Sequence, residues 1–261
     1  MTKKSKMKIV SYNVNGIRAA LRKGITEWIA GENPDIICIQ ETKAQPEDVD
    51  LAELEEAGYQ GHWYSAEKKG YSGVLTLTKS DPERVETGMG VHLYDNEGRI
   101  IRTDFPDFTL LNCYFPSGTS GDHRQAIKME FLADFHEWIK ELREKCPRLV
   151  IAGDYNIAHT PNDIHDPVRN KNTSGFKPEE RAWMDKWFDS GFIDPFRKIH
   201  PDKIEYSWWS YRAAARARNK GWRIDYISVS DNLAPSVKAL RHANEAVQSD
   251  HCPVVLEMDL K

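Results

Sequence analysis

Leu149-Val150-Ile151-Ala152-Gly153-Asp154-Tyr155-Asn156 reads as a buried β-strand that ends in two polar side chains one residue apart. The run is short, apolar and β-branched, and it breaks at a glycine. If the extended backbone persists, Asp154 and Asn156 share a face, because successive strand side chains alternate. Gly153 lets the backbone turn or lets a ligand come close. By itself the octamer reads equally well as a strand running into an ordinary Asp/Asn turn. Recurrence of the same design elsewhere in the chain favours a site.

Composition narrows the class. A chain of 261 residues suits one large α/β domain or two small ones. A formal net charge of -4 excludes a globally basic DNA-coating protein. It leaves room for a local basic face, where a nucleic-acid footprint would lie. Cys38, Cys113, Cys146 and Cys252 form no zinc-ligand spacing, and three of them sit in or beside apolar runs, as small core residues do. Met1 to Lys8 is basic but lacks a signal-peptide core. No apolar run approaches the ~20 residues that span a membrane. These features predict a soluble, reduced, cytoplasmic protein with no membrane partner, folded as one domain over 1–261 with a flexible basic N-terminus at 1–7.

Strands are expected at Lys8 to Tyr12, Ile36 to Ile39, Trp63 to Ser65, Gly73 to Thr78, Arg84 to Val91, Arg99 to Phe105, Thr109 to Phe115, Tyr206 to Tyr211, Trp222 to Val229, Ser236 to His242 and Pro253 to Met258. Helical spacing marks 17–29, interrupted at Gly24, an acidic segment from Pro46 to Ala57, a long segment from Asp122 to Lys145, and Pro178 to Ser190. Asp95 to Gly98 reads as a turn, and His159 to Phe176 as a polar surface loop. The irregular interleaving suggests two sheets packed face to face with helices outside, rather than a doubly wound parallel sheet.

Several of these strands deliver a carboxylate, an amide, a phenol or an imidazole at their ends: Asn13, Glu41, Tyr114, Asp154 with Asn156, Asp225, and Asp250 with His251. A carboxylate such as Asp225 in an otherwise apolar strand needs a partner, Arg223 or another base. A carboxylate holding His251 would fix its tautomer and raise its basicity. Oxygen ligands without a cysteine cluster suit Mg²⁺, with Mn²⁺ as a substitute, and such ions usually work with phosphates. The chemistry that fits is attack of water on a phosphodiester. Taken singly, each residue has a plain structural reading, and only the repetition raises the joint case. From Tyr206 to Arg223 the chain interleaves Trp208, Trp209, Tyr211 and Trp222 with Arg212, Arg216, Arg218, Lys220 and Arg223, and carries no acidic residue. Basic groups match phosphates, and aromatic rings fit bases and sugars.

With these motifs assembled, the sequence resembles the exonuclease III-type apurinic/apyrimidinic (AP) endonucleases, within the endonuclease/exonuclease/phosphatase superfamily. The resemblance rests on Asn13-Val14-Asn15-Gly16-Ile17-Arg18, Ile39-Gln40-Glu41-Thr42-Lys43, Gly70-Tyr71-Ser72-Gly73-Val74, Gly153 to His159, Gly221 to Tyr226 and Ser249-Asp250-His251-Cys252-Pro253, in the family's order over nearly the whole chain. It implies a four-layered α/β sandwich and a Mg²⁺-dependent monomer. Its substrates would be double-stranded DNA with abasic sites, cut on the 5′ side, or with blocked 3′ ends, and the resemblance leaves open the balance of this activity against 3′–5′ exonuclease action. By motif, Glu41 would bind the metal with Asn13 nearby, Asp250 would sit close, and Asp154 would orient or deprotonate the water. Asn156 and Tyr114 would hold phosphate oxygens. His251, oriented by Asp225, would contact the scissile phosphate. Trp208, Trp222 and Ile224 would line the pocket for a flipped-out sugar. Asn15 stands where many members carry Asp, and Ser117 where many carry Asn at a phosphate contact. Two other classes compete: a phosphatase or phospholipase on the same core, and a catalytically inert nucleic-acid-binding module.

Overall fold

Twelve strands form two six-stranded sheets in the computed structural model, which describes residues 5–260. In chain order they are β1 (Ser5–Asn13), β2 (Ile36–Gln40), β3 (Gln60–Tyr64), β4 (Val74–Thr78), β5 (Arg84–Thr87), β6 (Ile100–Asp104), β7 (Thr109–Tyr114), β8 (Leu149–Asp154), β9 (Phe192–Ile193), β10 (Asp225–Ser230), β11 (Val237–His242) and β12 (Val254–Leu260). The strand orders are β11-β12-β1-β2-β4-β3 and β5-β6-β7-β8-β10-β9. Both sheets are mixed: β1 and β2 are parallel, as are β7 and β8, and the other pairs are antiparallel.

Helices α1 (Ile17–Arg22), α2 (Ile25–Glu32), α3 (Ala52–Glu56), α4 (His92–Asp95), α5 (Asp122–Lys145), α6 (Pro167–Asn170), α7 (Pro178–Asp189) and α8 (Pro195–Ile199) complete the fold. Ile17, Ala20, Ile25, Ile29 and Leu54 cover Val10, Tyr12, Ile37 and Ile39 on the outer face of the first sheet. Phe131, Phe135, Trp183 and Trp187, from α5 and α7, cover Leu111, Cys113 and Ile151 on the outer face of the second. Between the sheets lie Ile9, Ile36, Cys38, Leu110, Val150, Ala152, Ile227, Val254 and Leu256. The layers are therefore helix, sheet, sheet, helix, the expected four-layered α/β sandwich. Each of the larger apolar side chains contributes about 1.5–3 kcal/mol by burial.

Alternation places the site. The strands that send Ile9, Cys38, Leu110, Val150 and Ile227 into the gap between the sheets send Asn13, Gln40, Tyr114, Asp154 and Asp225 along that same face at their ends. β10 runs antiparallel to β8 with Asp225 opposite Asp154, so the start of one strand meets the end of the other. The start of β12 meets the end of β1 in the same way, which carries the preceding Asp250 and His251 to that edge. Deeper in the gap, Gln40 Nε2 donates to Asn112 Oδ1 at 2.8 Å and ties the two sheets together.

Gly153 has a different purpose from the one expected. A Cβ there would sit 1.8 Å from the carbonyl oxygen of Cys113, so the glycine lets β7 close against β8. The flexible N-terminus expected at 1–7 falls partly outside the described residues, and Ser5–Met7 pair with Met258–Leu260 in the first sheet. The segment 46–57 is broken: a 3₁₀ turn at Pro46–Asp48 precedes α3, and the Asp50 carboxylate accepts from Ala52 N at 3.0 Å. The strand expected to reach Val91 stops at Thr87, because the Asp95 carboxylate takes the Met89 and Gly90 amides and α4 intervenes before the expected turn, which Gly98 N closes on the Asp95 carbonyl at 3.1 Å. Tyr206–Tyr211 is irregular, held by single-residue bridges from Trp208 to Trp222 and His251.

Candidate active site

Strand ends bring Asn13, Glu41, Asp154, Asp225 and His251 together as two hydrogen-bonded groups that face each other. Asn13 Nδ2 donates to Glu41 Oε1 at 2.8 Å and to Asp154 Oδ2 at 2.9 Å. Asp225 Oδ2 accepts from His251 Nδ1 at 2.9 Å and from Ser207 Oγ at 2.6 Å. His251 Nε2 lies 4.0 Å from Asp154 Oδ2. The partner of Asp225 is therefore His251. Arg223 faces elsewhere, fully buried between Asp163 and Asp194 at 2.7 Å each, and so is not part of a basic surface.

Both readings of the 149–156 stretch hold in part. Extended backbone ends at Asp154, and Asn156 is left-handed at φ 54, with its amide donating to Asp154 Oδ1 at 2.8 Å. Even so, both side chains line the same cleft. Glu41 also lies in left-handed backbone, at φ 52. Such conformations cost of order 1 kcal/mol or more and persist where the surroundings over-determine them.

Electrostatics separate the titratable groups. Burial raises Asp154 to about 8, with the Asp225 charge adding to it and His251 opposing. Burial opposes the charging of His251, but Asp225, then Asp154 and Asp250, outweigh it and raise the imidazole to about 10. Burial also opposes ionisation of Glu41, and Lys43, whose Nζ lies 2.7 Å from Glu41 Oε2, outweighs it and holds that carboxyl below its ordinary value. The Tyr114 phenol is pushed well above its usual range by burial and by Glu41, so it remains an O–H donor.

A cleft of about 430 Å³ opens over this array. Its lining includes Tyr114, Ser117, Asn156, Trp208, Trp222 and Ile224. The remaining expected residues divide. Asp250 stands apart from the carboxylate pair, accepting from Trp208 Nε1 at 3.1 Å and Asn15 Nδ2 at 3.0 Å. Arg212 is exposed and outside the cleft lining. Arg216, expected on DNA, turns its guanidinium onto backbone carbonyls of the 244–249 segment.

Glu41, Asp154 and His251 each offer one ligand atom, all within 4.8 Å of one another. Two carboxylates at a water-facing cleft form an oxygen-rich donor set, which fits a hard divalent cation. Sequence reasoning missed Ser207, which braces Asp225, and Lys43, which neutralises Glu41. Lys43 stands in the Ile39–Lys43 motif, three residues past the end of β2, and that proximity was the available signal. The polar loop at 159–176 adds a wall of Thr173, Ser174 and Gly175, residues that no local signal singled out within it.

A two-sheet α/β sandwich with a carboxylate–imidazole array at its open edge has the architecture of a phosphate-ester hydrolase. Residues 10–251 match the Endonuclease/Exonuclease/phosphatase family. The chain is 40% identical over 256 residues to an exodeoxyribonuclease of Bacillus subtilis, covering 97% of this chain and 100% of that protein. It is 38% identical over 260 residues to a DNA-(apurinic or apyrimidinic site) endonuclease of Dictyostelium discoideum, covering 98% of this chain and 72% of that one. A 3′ phosphatase from Neisseria, solved with a product DNA hairpin, superposes with a TM-score of 0.90 at 30% identity, over 97% of this chain and 99% of that one. The chain belongs to the Endonuclease/Exonuclease/phosphatase family, in its exonuclease III-type AP endonuclease branch.

Proposed function

We propose that this protein is a divalent-metal-dependent DNA-repair nuclease that hydrolyses the phosphodiester on the 5′ side of abasic sites and trims blocked 3′ ends. The observation that carries this reading is the Asp225–His251 pair set 4.0 Å from the Asp154–Asn13–Glu41 group, beside the apolar wall of Trp208, Trp222 and Ile224. Mg²⁺, held by Glu41 with Asp154 adjacent, would supply Lewis-acid stabilisation of phosphate charge.

The chain's own groups supply the rest. Asp154 would accept a proton from the attacking water once its own carboxyl is ionised, which a bound divalent cation would favour against the burial that otherwise keeps it protonated. Water oxygen bonds to phosphorus, the bond to the 3′ oxygen breaks, and the electron pair leaves with that oxygen, which takes up a proton from solvent to become the 3′ hydroxyl. The His251 imidazolium, kept charged by Asp225, faces the negative charge that develops on the phosphate. The Tyr114 phenol would donate to a phosphate oxygen, and Asn156 would do so by releasing the Asp154 oxygen 3.4 Å from its Nδ2 while keeping the Phe115 carbonyl at 2.9 Å. Asn13 orients both carboxylates through its Nδ2, while its Oδ1, the atom that could ligate, accepts from Asn15 N at 2.9 Å. Trp208, Trp222 and Ile224 form an apolar wall suited to a sugar that carries no base. Ser117, in the cleft lining, and the exposed Arg212 would contact the DNA backbone. The four free cysteines fit a reducing, cytoplasmic setting.

Three duplexes test the reading: one with an abasic site, one with a 3′-phosphate end and one blunt and undamaged, each with Mg²⁺ and with EDTA. Mg²⁺-dependent nicking beside the abasic site is expected, lost in Asp154→Asn and His251→Ala while folding survives. Inert abasic DNA together with phosphate release from inositol polyphosphates would overturn it.

A further inference from the structure

Arg216 belongs to the segment whose basic residues the sequence assigns to phosphates, yet its guanidinium is engaged inside the protein. Nη1 donates to the Ser249 carbonyl at 3.0 Å. Nη2 donates to the Asn244 carbonyl at 3.1 Å and also to that of Ala246. The guanidinium also lies over the Trp209 ring, 4.7 Å from its centroid. The preceding residue, Ala215, is buried with Tyr206, Trp209 and Cys252, so the backbone that carries Arg216 is anchored to the core.

The three carbonyls belong to the segment that leads directly into Asp250 and His251. That segment has little regular structure of its own: β11 ends at His242 and β12 begins at Val254. Backbone ties run to the same place, with Trp209 N donating to the Asp250 carbonyl at 3.0 Å and Cys252 N to the Ser207 carbonyl at 2.7 Å, while Gln248 is held from the other side by Tyr12 Oη at 3.3 Å and, at its carbonyl, by Lys23 Nζ at 3.2 Å. A planar fork that reaches three carbonyls at once is a task for arginine. A lysine ammonium is a compact point charge that cannot reproduce the fork.

We propose that Arg216 is a positioning residue for the chemistry: it clamps the 244–249 segment so that His251 stays aligned between Asp225 and Asp154. This rests on the nuclease reading above. It assigns Arg216 to the rate of the chemical step rather than to the capture of DNA. The two roles give opposite kinetic signatures. A phosphate contact contributes to binding and to its salt dependence, so its loss raises KM and reduces the salt slope by about one. A clamp on the catalytic loop acts in the transition state, so its loss lowers kcat.

The test is steady-state nicking of an abasic duplex over a range of salt, with Mg²⁺, for the wild type, Arg216→Ala, Arg216→Lys and Arg212→Ala. Circular dichroism and thermal melts report the folded fraction of each. For Arg216→Ala we expect kcat to fall at least tenfold, with KM within twofold of the wild type and an unchanged salt slope. Arg216→Lys, which keeps the charge and loses the fork, should show the same kcat defect and guards against misfolding of the alanine variant. Arg212→Ala should show the converse, a raised KM and a shallower slope. Wild-type kcat in folded Arg216→Ala, a raised KM with a shallower slope, or full activity in Arg216→Lys would each overturn the proposal and leave the nuclease reading intact. A wild type that nicks no abasic duplex would remove the nuclease reading and this proposal with it.

Discussion

Asp225→Asn removes one negative charge from His251 while keeping the side chain's shape. The two carboxylate oxygens lie 2.9 and 3.1 Å from His251 Nδ1 in a fully buried setting. Unit charges about 4 Å apart attract by about 4 kcal/mol at an effective dielectric of about 20. About 1.4 kcal/mol is a tenfold change in a protonation equilibrium, so the proton on His251 weakens by roughly three orders of magnitude. Burial then works against the charged imidazole with less opposition. The titration, raised to about 10 in the wild type, falls into the neutral range.

The stability sign follows from linkage. The folded-state value lies above the unfolded one, ~6.5, so the pair's contribution is complete below that pH and is lost as pH rises through about 10. Asp225→Asn should therefore melt below the wild type at pH 6, with the gap closing toward pH 10. Nicking at neutral pH should fall by about 10- to 100-fold, the usual cost of removing a carboxylate that supports a functional histidine. Histidine NMR in EDTA, thermal melts against pH and nicking rates provide the measurements. A variant in which His251 still titrates near 10, or which nicks at the wild-type rate, would refute the reasoning.

Two further outcomes follow from the same structure. Asp154, raised to about 8, binds a proton in the folded state that its unfolded form, at ~4, has already lost; its contribution to metal-free stability therefore declines between those values. Mg²⁺ competes with that proton, so the ion should raise Tm more at pH 8 than at pH 6, and equal increments would count against Asp154 as part of the metal site. Gly153→Ala places a Cβ 1.8 Å from the Cys113 carbonyl oxygen and forces β7 from β8. The expected loss is about 3 kcal/mol, or roughly 6–12 °C in Tm, and a melt matching the wild type would show that the parallel register has slack.

Much of the fold was legible in local pattern. The long helix over Asp122–Lys145 and the buried strands at 36–40, 109–114 and 149–154 appear where periodicity placed them. The failures share one cause: a side chain or a distant element took over backbone groups that local propensity assigned elsewhere. Asp95 did so at 88–91, and Trp208 did so through its bridges to Trp222 and His251. α8 was missed because it is short, opened by Asp194 and Pro195 and held by packing of Phe196 against the sheet core.

By itself the chain of residues determined that polar groups would stand at the ends of apolar strands, since alternation is local and a buried carboxylate needs a partner nearby. Only the tertiary structure decided which partners those would be. Asp225 meets His251 and not Arg223, and Arg216 meets three backbone carbonyls in place of open solvent. Register between strands far apart in the chain sets those distances. A shift of one residue would turn Asp154 and Asp225 to opposite faces, and no local preference encodes that choice.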